Sequence, residues 1–491
     1  MVQRSTVQWK MGMRALFLTA LQASALPTGG LRRYVRERAK AQATLEARAA
    51  PEDLYFTQRL DHFDGSVNGT FQQRYFLNAT HFTEDGPVFL CVGGEGPALD
   101  ASVLYHSVHC SDATELAARA GALLVALEHR YYGRSVPVSA ERGAMRLRHL
   151  SSQQAVGDIA AFHGFVAEKM NLTSANKWVT FGGSYPGMLS GFARLKLPHL
   201  IHASVSSSSP WRAKVDMREY NDVVADALAL ASVGGSGACR DAVAAGHKAI
   251  QTLLETPAER PKLAAKFHLC GARDLESEAK RRAWAGYGVV DVPAQENDPS
   301  IQNVNFSIGV ICDVITAGAA PYVDALAAVS DLQHGGSCVD VDVAPLPADD
   351  GSDFLSWPWQ TCTEFGFYQT CEVGTRCPFA RGYVGLDDEI GMCEAAFGVG
   401  RHVVADNVAF SNAFYGGDAP RGSRIYFPNG DVDPWSGLGV RYEPGPSEPV
   451  LMVEGASHHA WTHPADEIHQ DTVADAKAKI QAQVLLWLKE P

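Results

Sequence analysis

The sequence predicts an α/β protein: a largely parallel sheet whose chain is interrupted by a mainly helical, cysteine-rich insertion. Three observations predict it. Short apolar runs alternate with helix-like stretches in the first and last parts of the chain, the signature of strand–helix–strand units. Between about residues 211 and 405 the texture turns Ala-rich and helix-prone, and cysteines become frequent. The stretch Lys177-Trp178-Val179-Thr180-Phe181-Gly182-Gly183-Ser184-Tyr185-Pro186-Gly187 sets a β-prone run, two glycines and a serine directly before a helix-like segment.

Composition narrows the function classes. The 491 residues suffice for one large domain with an insertion, or for two domains. A hydrophobic fraction of 46% with 20% charged residues gives ample material for a core. The formal net charge of −13 argues against nucleic acid as a partner. Ten cysteines, eight of them between Cys239 and Cys393, contain no C-x-x-C pair. That leaves a zinc-ribbon or thioredoxin reading unsupported and favours disulfides, whose pairing the sequence leaves open. Sequons at Asn68, Asn78, Asn171 and Asn305 point to the same oxidising compartment.

In chain order, Arg4, Lys10 and Arg14 precede a short apolar run at Ala15–Leu21 and the small residues Ala23-Ser24-Ala25. This reads as a signal peptide over 1–25, too short to span a bilayer. Residues 26–52, rich in arginine, read as a linker or removable pro-segment. The sheet domain is expected over 53–210 and again over 406–491, with a helical cap at 211–405. Residues 55–63 and 71–77 read as a pair of strands. Pro87–Val92 is a buried strand opening into the glycine-rich loop Gly93-Gly94-Glu95-Gly96-Pro97. Such a loop presents backbone N–H groups, as an oxyanion hole requires, though a plain turn would look the same. Asp112 suits a helix cap. Ala122–Leu127 is a further strand, and Ser151-x-x-Gln154 a capping box for the helix before Ser184. His163 lies on that helix as a packing or surface residue. Ala203–Ser207, Arg424–Phe427 and Val450–Val453 complete the strands. A last helix aligns Val473, Ile480, Val484 and Leu488.

The chemistry hangs on Ser184. Strand, tight glycine turn and helix form the setting of a nucleophile elbow. The pattern is G-x-S-Y-x-G rather than G-x-S-x-G, because Pro186 stands where the second glycine would be. A serine hydroxyl needs a base, and the base an orienting carboxylate. In the α/β-hydrolase order the acid and then the histidine follow the serine. Asn429-Gly430-Asp431-Val432-Asp433-Pro434-Trp435 offers Asp431 or Asp433. Glu454-Gly455-Ala456-Ser457-His458-His459 offers His458 or His459. With His463 the pair could suggest a metal, but no H-E-x-x-H or second ligand cluster accompanies it. The chemistry calls for no cofactor. Three readings remain on the residues alone: a peptidase, an esterase or lipase on the same fold, and a non-catalytic binding protein.

Several motifs occur in a fixed order: Gln58-x-Leu60-Asp61-His62-Phe63, Gly93-Gly94-Glu95-Gly96, Glu128-His129-Arg130-Tyr131-Tyr132-Gly133-x-Ser135 and Gly182-Gly183-Ser184-Tyr185-x-Gly187. Trp359-Gln360-Thr361-Cys362-Thr363-Glu364-Phe365-Gly366, Asn429-Gly430-x-x-Asp433-Pro434-Trp435 and Gly455-x-Ser457-His458 follow. Together they resemble the family of lysosomal Pro-Xaa carboxypeptidase, dipeptidyl peptidase II and thymus-specific serine protease. The resemblance implies an α/β-hydrolase fold with a helical, disulfide-stapled cap, and a serine exopeptidase cutting after proline. By motif it implies Ser184 as nucleophile, Asp433 as acid and His458 as base. It implies the backbone of Tyr185 and the Gly94–Glu95 turn as oxyanion donors, and Trp435 and the Tyr185 ring as walls of a proline pocket. Glu95 is a candidate grip for a free peptide amine. Peptides, proline-containing among them, are the implied substrates, and the implied location is extracellular or lysosomal/vacuolar. Amino- versus carboxy-terminal action and the oligomeric state, a homodimer included, stay open.

Overall fold

The computed structural model describes residues 53–96, 98–138, 143–297, 307–318, 320–341 and 354–491. The expected signal peptide, the linker and the Asn305 sequon asparagine lie outside the described residues. The centre is an eight-stranded sheet in the order β1-β2-β4-β3-β5-β6-β9-β10. Its strands are β1 (Leu54–Arg59), β2 (Thr70–Asn78), β3 (Val88–Val92), β4 (Leu123–Leu127), β5 (Trp178–Gly183), β6 (Ile201–Ser207), β9 (Ile425–Gly430) and β10 (Val450–Val453). The β1–β2 and β2–β4 pairs are antiparallel; every other pair is parallel. β3 and β4 are buried along their whole length, which explains their unbroken apolar runs.

Helices α1 (Ser111–Ala120), α2 (Ser152–Met170) and α3 (Tyr185–Lys196) connect the first parallel strands. A final helix (Asp471–Trp487) packs Val473, Ile480 and Val484 into the core on one side of the sheet. Reversal of strand order around β3, a serine turn after β5 and late strands β9 and β10 make this an α/β-hydrolase fold. Between β6 and β9 lies a mainly helical cap. Its helices are α4 (Arg218–Ala229), α5 (Gly237–Glu255), α6 (Arg260–Lys266), α7 (Glu278–Gly286), α8 (Ile308–Thr316), α9 (Tyr322–His334), α10 (Ser356–Gln360), α11 (Leu386–Phe397) and α12 (Arg401–Tyr415). α12 runs through the boundary expected at 405. All ten cysteines pair. Cys239–Cys312, Cys270–Cys338, Cys362–Cys393 and Cys371–Cys377 staple the cap, and Cys91–Cys110 ties the end of β3 to the start of α1.

Local departures from the sequence reading have local causes. β1 stops at Arg59 rather than Phe63, because Asp61 turns the chain: its Oδ1 accepts the N–H groups of Phe63 (2.9 Å) and Asp64 (3.2 Å). α1 is entered from disulfide-bonded Cys110, so Asp112 is a buried first-turn residue instead of the cap. Only half of the capping box forms. Ser151 accepts the Gln154 N–H, but the Gln154 side chain reaches across to His62 N and Asp61. A short pair of strands inside the cap, β7 (Lys214–Asp216) and β8 (Gly366–Tyr368), has no sequence signal beyond its length of three residues each.

Candidate active site

β5, β6, β9 and β10 are parallel neighbours, so the turns after them emerge at one end of the sheet. That end carries Ser184, Asp433 and His458. Ser184 follows β5 with φ 64° and ψ −133° and is the residue before α3. A non-glycine residue held there stores about 1–3 kcal/mol of backbone strain. The surroundings enforce it. A side chain at Gly182 would meet the Pro186 backbone at 2.5 Å, so strand and helix pass too closely for any residue but glycine. The Ser184 N–H donates to Ser207 O (2.9 Å), which anchors the turn to β6. Tyr185 heads α3, so its N–H is among the first-turn donors that a helix cannot satisfy internally.

Of the two aspartates, Asp433 is fully buried and its Oδ2 accepts from His458 Nδ1 (2.9 Å). Its Oδ1 accepts the Trp435 N–H (3.0 Å), which holds the carboxylate in a fixed orientation. Asp431 instead accepts the Gly455 N–H (2.7 Å) and braces the two loops. The adjacent histidines divide similarly. His458 has its Nε2 buried and without a hydrogen-bond partner among the described residues. His459 packs its ring over Gly183, donates its N–H to Ser208 Oγ (2.8 Å) and places Nδ1 by Thr462 Oγ1 (3.1 Å). Burial, reinforced by His458, His463 and His109, holds His459 well below the usual histidine range. Among the described residues no group of three or more His, Cys, Asp or Glu side chains is placed to hold a metal.

The loop after β3 lies against the elbow. A side chain at Gly94 would strike Pro186 Cγ at 2.4 Å. The next residue, Glu95, lies in electrostatic reach of Ser184 and His458. Burial pushes its carboxyl up to about 7, against the pull of its own N–H, His458 and Ser184. Tyr185 differs from an open pocket wall, since its ring is only 1% exposed. Its hydroxyl accepts from Gln360 Nε2 (2.7 Å) and donates to His129 Nε2 (3.0 Å). The direction follows from His129 Nδ1, which must carry the proton because Arg130 O, 2.6 Å away, only accepts. Trp435 is half-buried, edge-on to Tyr220 and Phe367 of the cap.

A family model described as serine carboxypeptidase S28 matches residues 58–480. The chain belongs to the serine carboxypeptidase S28 family. Thymus-specific serine protease of Mus musculus is 36% identical over 460 residues, which cover 90% of this chain and 88% of that protein. The protein of that name from Homo sapiens is also 36% identical, over 466 residues, 90% of this chain and 88% of its own length. Lysosomal Pro-X carboxypeptidase of Bos taurus is 25% identical over 429 residues, 82% of this chain and 81% of that protein. As a member of the S28 family this protein is a serine peptidase whose substrates are peptides.

The S28 chain also uses residues that motif reading passed over. Gln295, in the cap, accepts His458 N–H on its backbone oxygen (3.0 Å). The side-chain oxygen of Gln295 accepts from Trp435 Nε1 (3.0 Å) and Tyr220 OH (2.9 Å). Gln360 accepts from Tyr132 OH (2.6 Å), donates to Tyr185 and reaches Glu364 Oε1 (3.3 Å). Glu364 takes both the N–H and the hydroxyl of Ser152. Gln360 and Glu364 stand in a quoted motif, so their presence had a signal; Gln295 had none.

Proposed function

We propose that the protein is an exopeptidase that cleaves after proline through an acyl-enzyme on Ser184. The observation that carries this reading is the buried Asp433–His458 contact, with Nε2 of the same ring left for another partner. Ser184 attacks the substrate carbonyl. His458 takes the hydroxyl proton on Nε2 and passes it to the leaving amine. Asp433 fixes the tautomer and stabilises the imidazolium. The N–H groups of Tyr185 and of the Gly94–Glu95 turn receive the oxyanion. Water then releases the acyl group by the same route. Trp435, supported by Tyr220 and Phe367, forms the wall against which a proline ring packs. The cap over the sheet's active end favours chain termini over internal bonds.

Five disulfides call for folding in an oxidising compartment. One relative is by its printed name lysosomal. Both support a secretory-pathway protein delivered to a lysosome or to the exterior. No helix among the described residues is long and apolar enough to cross a membrane.

Product analysis by mass spectrometry on two peptides tests the function. One peptide is X-Pro-Y-Z and the other ends in Pro-X, each with wild type and Ser184→Ala. Release of X-Pro defines amino-terminal action, and release of the last residue carboxy-terminal action. Hydrolysis of a simple ester through Ser184, with neither peptide cut, sinks the proline reading.

A further inference from the structure

Ser207, the last residue of β6, and Ser208 after it touch the segments of all three proposed triad residues. Ser207 O accepts the Ser184 N–H (2.9 Å). Ser207 Oγ accepts Trp461 Nε1 (2.9 Å), from the turn that follows His459. The Ser208 N–H donates to Pro428 O (2.8 Å) of β9, the strand before Asp433. Ser208 Oγ accepts the His459 N–H (2.8 Å). Both serines are fully buried.

The Ser208 bond bears on His458 through the backbone. A peptide unit is planar, so the His459 N–H and the His458 carbonyl turn as one body. Ser208 Oγ holds that plane. Gln295 O holds the plane before it, through the His458 N–H (3.0 Å). With a bond on each flanking plane, the backbone rotations of His458 are set from both sides. Asp433 Oδ2, on Nδ1 at 2.9 Å, then sets the ring.

Strain gathers at the same place. Eight non-glycine residues among the described residues have positive φ, and three of them meet here: Ser184 (64°), Ser208 (46°) and His459 (41°). Such strain persists only where the surroundings over-determine it, and it collects at working sites. Glycine would adopt the Ser208 conformation freely. A serine there keeps the one feature glycine lacks, a hydroxyl, and that hydroxyl takes the His459 N–H.

We infer that Ser208 is a positioning residue whose hydroxyl fixes the His458 loop against the Ser184 turn, so that Nε2 is presented to the nucleophile. It acts through His459 and not on the substrate. This role rests on Ser184 as nucleophile and His458 as base.

The test compares Ser208→Ala and Ser208→Gly with wild type and Ser184→Ala. It reads Ser184 labelling by a fluorophosphonate, kcat and KM on the two proline peptides, and the melting midpoint, with rates taken well below that midpoint. Both Ser208 variants are expected to label and turn over between about tenfold and 10²-fold more slowly. KM should stay within about twofold of wild type. Ser208→Gly, freed of the left-handed strain, is expected to melt above Ser208→Ala and yet to be no faster. A merely structural brace gives the other order, with activity rising alongside the melting midpoint. A Gly variant that regains the wild-type rate therefore overturns the proposal. An Ala variant with wild-type kcat, or one whose whole loss is in KM, overturns it too. Labelling that persists in Ser184→Ala removes the nucleophile and the Ser208 role with it. Labelling that is lost in Ser184→Ala but unchanged in both Ser208 variants removes the Ser208 role alone. Slow labelling in both Ser208 variants, with neither peptide cut, supports Ser208 and removes only the proline substrate.

Discussion

Gln295 of the cap grips Trp435 of the sheet domain: its side-chain oxygen accepts the indole N–H at 3.0 Å, and its backbone oxygen accepts the His458 N–H at 3.0 Å. One cap residue thereby sets both the proposed pocket wall and the loop of the proposed base. Gln295→Ala leaves Trp435 and Tyr220 without their shared acceptor while sparing the backbone bond to His458. The expected result is a KM for proline peptides raised about tenfold, equivalent to ~1.4 kcal/mol of lost binding, with kcat changed far less. Steady-state kinetics decide it; a fall in kcat at constant KM would place Gln295 in the chemical step instead.

Asp433→Asn keeps the shape of the acid but lets His458 adopt the wrong tautomer. By analogy with other serine triads, kcat should fall by about 10⁴-fold. Asp431→Asn, at the brace to Gly455, should cost less than about tenfold. Equal losses in the two variants would refute the division of roles between them.

The Tyr185 hydroxyl sits between Gln360 of the cap and His129 of the core. Tyr185→Phe leaves two buried partners short of a bond, and ~1–3 kcal/mol of stability should go with it. Gln360→Met removes the same contact from the other side, so the double variant should lose less than the sum of the singles. Denaturant melts of the four proteins measure this coupling, and strict additivity would show that the contact is energetically idle.

Stability should depend on pH with a defined sign. Burial pushes Asp112 and Glu364 up to about 7 and Glu389 up to about 8. Between roughly pH 4.5 and 8 the unfolded chain has released these protons while the fold retains them, so stability falls as pH rises. His129 and His247, buried and held down to about 4, act in the opposite direction. Below about 6.5 the unfolded chain takes up protons that the fold refuses, and stability is lost as pH falls towards 4. His109 and His459, also held down by burial, act with these histidines, but above about pH 6.5 only the acids still change, so the melting midpoint should drop from there towards pH 8. A midpoint that climbs steadily from pH 5 to 8 would contradict this balance.

Cys91–Cys110 closes a loop of 19 residues beside the Gly93–Glu95 turn. Replacing both cysteines by serine should cost about 3 kcal/mol from loop closure alone. Activity should fall as well, because the start of α1 no longer ties down the end of β3. Unchanged activity at a temperature well below the melting midpoint would mean that the glycine turn is held by Pro186 alone.

What the sequence made legible was local. Ser184, Asp433 and His458 each follow a strand whose apolar run is readable, and the glycines around Ser184 betray a close crossing. The four parallel strands at the active end were found for the same reason. Contacts made across long separations in the chain were not legible. Gln295 lies in a short helical turn of ordinary composition, and its side-chain partners Tyr220 and Trp435 are 75 and 140 residues away. Ser206 and Ser207 read only as the end of a strand, and Ser208 carries no reading at all. In the structure Ser206, Ser207 and Ser208 bond Trp211, Trp461 and His459 in turn, cross-bracing the loops around the site. Small polar residues carry no periodic signal, and their role depends on which loops the fold delivers to them.

The cap is inserted between β6 and β9, and about 250 residues separate Ser184 from Asp433 along the chain. A ribosome adding about 5–20 residues per second exposes the proposed nucleophile on the order of ten seconds or more before the proposed acid and base exist. The half-made protein therefore carries Ser184 without Asp433 or His458. Assembly needs the cap to be synthesised first and Ile425 and Tyr426 of β9 to seat beside Ser204 and Val205. A cell making this enzyme is shielded from it during synthesis by the order of its own chain.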